Sequence, residues 1–345
     1  MADKLKISAV TCVKNEGPFL LEWIAFHRLI GVTDFLFYSN DCDDGTEQLL
    51  DALQELGIVR HKPNPAEGRN YQMEALKDAA RDQQTRASDW IWIADVDEFP
   101  SITVGARNFP SLIEACGNPS AISLTFRFFA NSGVDHFRDE PVTAQFCMTH
   151  AEDIWADQTS QEVKTLVRAD FPLKYFGAHR PFGREGHILG LRWTDGSGNQ
   201  VPDSFSYART RNRIRKFPAK GVRQFASLNH YALRSKESYI VKCERGDVNR
   251  EDREFSESYW QDRNDSQVKD LEIRERDVVL RDEINFLKGL GNIAELHSYC
   301  TRKHAEKVSN LLSLEEYRGL YDNLGKLPSI SIPELNFLKT IGLHR

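Results

Sequence analysis

Residues 5–31 read LKISAVTCVKNEGPFLLEWIAFHRLIG, and they contain one complete strand, loop and helix. The run from Leu5 to Val13 is apolar and β-branched, which predicts a buried strand, and Lys14-Asn15-Glu16-Gly17-Pro18 predicts the loop that ends it. Beyond it, Phe19, Leu20, Trp23, Phe26, Leu29 and Ile30 recur at three- and four-residue spacing and Gly31 follows. That is the pattern of an amphipathic helix and its stop. Working outward, the unit repeats. DFLFYSN (34–40) predicts a second strand, DCDDGT (41–46) a turn, Leu49, Leu50, Leu53 and Leu56 a helix, and IVR (58–60) a short strand. Residues 70–84 predict a third helix feeding a strand WIWIA at 90–94. Strands alternating with helices imply an α/β fold with a Rossmann-like, mostly parallel sheet flanked by helices. Ligands of such sheets bind beyond the carboxyl ends of the strands. Lys14-Asn15-Glu16, Ser39-Asn40-Asp41 and Asp95-Val96-Asp97 are expected to converge there.

Further along, residues 121–130, 162–170 and 226–235 predict strands, and 277–290 and 293–312 predict helices. The chain of 345 residues is 40% hydrophobic, ample for a packed core, and its net charge of −6 argues against a nucleic-acid partner. Cysteines 12, 42, 116, 147, 243 and 300 form no CxxC pair, which fits a reducing, cytoplasmic location better than a disulfide framework. No run of about 18 apolar residues predicts a membrane span. A peripheral membrane contact is compatible with all of this.

The stretch WIWIADVDEFP (90–100) carries the chemistry. Residues two apart on an extended segment share a side, so Asp95 and Asp97 are expected to present oxygens to one ligand while Glu98 faces elsewhere. Hard cations such as Mn2+ or Mg2+ take one or two carboxylates and fill their shell with water and phosphate oxygens. A polar turn leaving the core is the plainer reading. Clustered acids beside a central strand, however, repel one another unless a cation or hydrogen-bond donors offset them.

VTCVKNEGPFLLEWIAFHRLIGV, YSNDCDDGTEQLL and IADVDEF together resemble the nucleotide-sugar domain of glycosyltransferases of family two, particularly the subgroup related to family ninety-two. RFFANSG (127–133), GAHRP (177–181) and LNHYALRSKESYIVKCERG (228–246) are similar to the same subgroup. The resemblance implies a GT-A fold over residues 1–246, with a nucleotide-sugar half (1–100), an acceptor half (101–246) and a mainly helical region at 247–345. It implies a nucleotide-sugar donor, a hydroxyl on a glycan, polysaccharide or glycolipid as acceptor, and inversion. It makes Asp97 a metal ligand, has Asp95 meet the metal or the ribose, and lets His230 complete the metal shell.

Other roles follow from position beside that resemblance. Thr11, Lys14, Asn15 and Glu16 are expected to line the base and ribose pocket. Many family-two enzymes carry Asp-Asp where this chain has Ser39-Asn40, yet Asn40 can still pair with a pyrimidine edge, so uridine is the expected base. Asp41 lies beside it. Arg69 and Gln72 open the third helix, whose N-terminus favours anions. Lys242 and Arg245, three apart on a predicted helix, are expected to face the diphosphate. His179 and Arg180 are candidates for the acceptor site, and Asp153 and Asp135 for the general base. The seven basic residues of RTRNRIRKFPAKGVR (209–223) read as a solvated loop or as a cover for anionic ligands. A phosphohydrolase using the same acids would carry them at the start of the chain, and a nucleotidyltransferase would carry a glycine-rich first loop, which KNEGP lacks. A silent sugar-binding module would have no need of Asp95 and Asp97.

Overall fold

The computed structural model describes residues 5–68, 70–152, 159–207, 214–246 and 256–343. The opening unit forms as expected: strand β1 (Ile7–Val13), a 3-10 turn at Gly17–Phe19 and helix α1 (Leu20–Leu29). Ile7, Ala9 and Val13 of β1 join one core cluster and Val10 another, so the strand is covered on both faces. That explains its continuous apolar run in place of an alternating one. The repeats follow as β2 (Asp34–Ser39), α2 (Thr46–Glu55), β3 (Arg60–Pro63), α3 (Tyr71–Ala79) and β4 (Trp90–Ile93). Leu20, Leu49, Leu50 and Leu53 of α1 and α2 pack on one face, and Ala75, Leu76 and Ala79 of α3 on the other. Strand β4 sends Trp90 and Trp92 to the first layer and Ile91 and Ile93 to the second.

The sheet continues through β5 (Glu98–Ile102), helix α4 (Phe109–Ala115), β6 (Ala121–Phe128), β7 (Val163–Arg168), β8 (Trp193–Asp195) and β9 (Ala226–His230). The strand order is β3-β2-β1-β4-β7-β6-β9-β5, with β8 also paired to β6. Pairings among β1, β2, β3 and β4 are parallel, as are those of β6 with β8 and β9. Strand β7 runs antiparallel between β4 and β6, and β5 antiparallel to β9. The sheet is therefore mixed and mostly parallel, flanked by helices, as the α/β reading required.

Three local differences have physical causes. The third helix ends at Ala79, because the Asp82 carboxylate accepts from the Thr85 N–H and caps a separate turn at Gln83–Arg86. Strand β3 lies at Arg60–Pro63 and not at 58–60, since its partners on β2 are Leu36 to Ser39. Strand β5 was not expected. It starts inside the acidic turn and contains Pro100, which fits its place at the end of the strand order.

After helix α5 (Lys236–Arg245) come α6 (Glu257–Arg263), α7 (Asp277–Lys288), α8 (Ile293–Leu312), α9 (Glu315–Leu324) and α10 (Ile332–Thr340), the expected helical region. Ile273, Leu280, Leu287, Ile293 and Cys300 belong to the same core cluster as β1 and α1. The boundary expected at 246 therefore does not divide two cores. No described helix is long and apolar enough to cross a membrane.

Candidate active site

Strand β9 runs parallel to β6 and ends at His230, whose cross-strand partner is Glu98, the first residue of β5. Paired residues of an antiparallel ladder hold their Cβ atoms about 5 Å apart on one face. Ligand atoms of Asp97, Glu98 and His230 accordingly lie within 4.8 Å of one another. The segment between β4 and β5 is a turn, closed by the Glu98 N–H donating to the Asp95 carbonyl at 3.1 Å. The extended alternation expected of Asp95 and Asp97 thus does not form, and the two side chains have separate partners. Asp95 pairs with Lys164 of β7 at 2.9 Å and accepts from Gln72 at 3.4 Å. Asp97 pairs with Lys242 of α5 at 3.0 Å and lies 3.4 Å from His230 Nε2. Of the two aspartates assigned to the metal, Asp97 joins the group and Asp95 does not. Glu98, which sequence reasoning turned away, takes the place.

Burial alone would raise Asp97, but Lys242 and His230 outweigh it and hold its carboxyl well below the usual range. Glu98 goes the other way. Burial lifts it well above the usual value, Asp95 and Asp97 add to this, and Lys164, 3.3 Å away, opposes them. Glu98 Oε1 and His230 Nδ1 are buried without a hydrogen-bond partner. Two oxygens and an imidazole nitrogen, with donor atoms left unsatisfied, fit a hard or borderline divalent cation.

The loops after β1 and β2 form the neighbouring wall. Asn15 and Asp43 exchange two hydrogen bonds, at 2.7 and 2.8 Å. The Gly17 N–H donates to Asp44 at 3.1 Å and the Glu16 N–H to Thr46 at 3.0 Å. Glu16 does not open onto a ribose. Its carboxylate pairs with Arg234 at 2.8 Å and Arg245 at 2.5 Å, and those two guanidiniums hold its pKa down against burial. Arg245 also donates to the Lys14 carbonyl at 2.6 Å, so it braces the loop rather than facing open space. Arg234, absent from the sequence reading, sits over the Phe19 ring at 3.5 Å with φ at 56°. Asn15, Asp41 and Asn70 share that left-handed backbone region, in which strain gathers at binding sites.

Thr11 Oγ1 and Asn40 Oδ1 are buried and unpartnered beside these loops. Asp41 accepts from the Tyr71 hydroxyl at 3.3 Å. Ser39 bonds Glu47 at 3.0 Å and His61 at 2.8 Å, and His61 bonds Asp51 at 2.7 Å. The serine is only 2% exposed, so this relay fastens β2, β3 and α2 together and offers no nucleophile.

The remaining candidates separate. Asp135 pairs with Lys236 at 2.9 Å, at the opposite end of α5 from Lys242. His179 lies 6.1 Å from the Phe126 ring, which also meets His230 at 4.8 Å. Arg180 is a correction: its guanidinium lies among Phe182, Trp193 and Phe205 and donates to the carbonyls of Phe205 and Ser206, leaving it 2% exposed. Burial lowers its pKa to about 10. It holds the fold and meets no acceptor. Asp153, Arg69 and residues 209–213 of the basic segment lie outside the described residues.

The profile of glycosyltransferase family 92 matches residues 8–187, more than half of the chain. The chain belongs to glycosyltransferase family 92. A family 92 protein of Ricinus communis is 33% identical over 100 residues, 28% of this chain and 16% of that protein. One of Arabidopsis thaliana is 28% identical over 103 residues, again 28% of this chain and 16% of the relative. The matched segment thus spans a small part of these family 92 relatives. Among solved structures, S. aureus TarS 1-349 in complex with UDP-GlcNAc is similar over 88% of this chain and 89% of that one, at 9% identity and a TM-score of 0.32. Likeness at that score carries no argument, and the fold of this family 92 chain rests on its own sheet order.

Proposed function

We propose that this chain is a glycosyltransferase that moves a sugar from a nucleoside diphosphate, with uridine as base, to a hydroxyl of a glycan, polysaccharide or glycolipid, with inversion. The gathering of Asp97, Glu98 and His230 at the ends of β4 and β9, with unsatisfied donor atoms beside Lys242, carries the reading. Family membership supports sugar transfer as the chemistry. Mn2+ or Mg2+ held by these three residues would neutralise the charge that develops on the departing diphosphate. Lys242 donates to Asp97 and to the Ala232 carbonyl, which puts its ammonium beside the group. Asn40 Oδ1 and Thr11 Oγ1 offer buried acceptors to the base, and Asp95, fixed by Lys164 and Gln72, meets the ribose. Asp135 or Asp153 takes the proton of the acceptor hydroxyl, and His179 lines the acceptor side. A glycolipid acceptor would bring the chain from the cytoplasm to a membrane surface.

Calorimetric titration with uridine and guanosine diphosphates, with and without manganese, tests this directly. Binding of the uridine form is expected to tighten with the metal. Asp97→Asn, which can still accept from Lys242, is expected to lose that enhancement and to slow donor hydrolysis by about 10^2 to 10^3-fold. Hydrolysis at the wild-type rate would reject the assignment.

A further inference from the structure

Two glycines close the donor loops, Gly17 after β1 and Gly45 after β2, and helix α8 lies against both. A Cβ added at Gly17 would stand 2.6 Å from Cys300 Sγ and 2.7 Å from its Cβ. One added at Gly45, where φ is +92°, would stand 2.6 Å from the Tyr299 ring. Real Cβ atoms do not approach that closely, so each loop reaches its position because the helix meets bare backbone there. One turn further, His304 of α8 packs edge-on to Phe19 at 5.7 Å and bonds Ser238 of α5 at 3.1 Å. It lines a small cavity with Asn15, Arg234, Lys242 and Arg245. Two turns beyond Tyr299 and Cys300, Lys307 bridges Asp43 at 3.2 Å and Glu244 at 2.9 Å, so one ammonium joins the second loop to the end of α5.

We propose that α8 is the back wall of the donor site, and that Tyr299, Cys300 and Lys307 are positioning residues that set donor affinity by holding the Asn15–Gly17 and Asp43–Gly45 loops in their binding shape. This rests on the donor-site reading above and deepens it. The two loops are bonded to each other through Asn15–Asp43, Gly17–Asp44 and Glu16–Thr46, so a shift of either is transmitted to both. Asn40 and the Glu16–Arg234–Arg245 group are anchored in the same loops. The helices at the end of the chain are therefore part of the nucleotide pocket. Preorganised loops bind without an ordering cost, and loosened ones must be ordered by the ligand.

The full chain is compared with Tyr299→Ala, Tyr299→Phe and Lys307→Ala by calorimetry with uridine and guanosine diphosphates in manganese, and by hydrogen exchange at residues 14–17 and 41–46 without nucleotide. Tyr299→Ala and Lys307→Ala are expected to weaken diphosphate binding about 5- to 20-fold, to raise donor KM while kcat stays within about twofold, and to speed exchange in both loops. Tyr299→Phe is expected to restore wild-type values, because the ring and not the hydroxyl covers Gly45. Lys307→Ala, at a surface position, serves where Tyr299→Ala fails to fold. Wild-type affinity and exchange in both alanine variants would overturn the proposal and leave the donor site standing. A wild-type chain that binds neither diphosphate would overturn both.

Discussion

At the scale of the residue, the site is governed by which acid has a counter-charge. Asp97 faces Lys242, whereas Asp95 and Glu98 share the Lys164 ammonium and Glu98 Oε1 is left with no partner. A buried carboxyl in that condition is costly until a cation joins it. Glu98→Gln is therefore expected to leave thermal stability unchanged or raised, while manganese affinity falls at least about tenfold by calorimetry. A variant that binds manganese as the parent does would remove Glu98 from the metal group. Asp97 and His230 were legible in the sequence through the quoted motifs. Glu98, Lys164 and Arg234 were not, because each owes its role to a partner at least 65 residues away or to a turn that no periodicity announces: the Lys164–Asp95 and Arg234–Glu16 pairs are 69 and 218 residues apart.

At the scale of the element, hydrophobic period found the strands inside the sheet, displaced β3 and missed β5 at its two ends. Strands β1, β2, β4, β6 and β7 carry apolar runs and were read near their true bounds, whereas β9, expected over 226–235, ends at His230. Strand β3, spelled RHKP, and β5, spelled EFPSI, lack that signal because each closes one end of the sheet. The hairpin Leu173–Phe176 and Pro181–Gly183 surrounds Arg180, and there sequence alone suggested a binding cation. Arg180→Met is expected to leave the Phe205 and Ser206 carbonyls unpaired and to cost about 2–4 kcal/mol in urea unfolding. Donor hydrolysis at saturating acceptor should be unchanged. A selective rise in acceptor KM with full stability would return Arg180 to the site.

For the whole molecule, His27, His304 and Glu22 are among the buried groups that shape the response to acid. His27 accepts from the Trp92 indole at 3.3 Å and donates to the Trp23 carbonyl at 2.9 Å, and burial lowers its pKa from 6.5 to about 3. His304 is lowered likewise to about 3, by burial and then by Arg234. The unfolded chain binds these two protons first, so their contribution is whole above pH 6.5 and is lost as pH falls toward 3. Glu22 has the opposite sign. Burial raises it from 4.5 to about 7 despite hydrogen bonds from Val142 and Thr143, so its contribution is whole below pH 4.5 and is lost as pH rises through 7. Between pH 4.5 and 6.5 it offsets one histidine, about 1.4 kcal/mol per pH unit. In Glu22→Gln urea midpoints are expected to fall more steeply between pH 6.5 and 4.5 than in the parent, and an unchanged profile would refute the assignment.

The two ends of the sheet are finished differently. At one end the segment Glu272–Arg276 lies over β5, where Pro100 lacks an N–H and Arg276 bonds the Ala106 carbonyl. At the other, β3 carries Arg60 and Lys62 ahead of Pro63. An open ladder invites a foreign chain to add itself, and positive charge and proline both refuse it. Concentrated solutions of this protein are thereby guarded against growing fibrils from the margins of the sheet, and replacing Lys62 with an apolar residue would remove one of those guards.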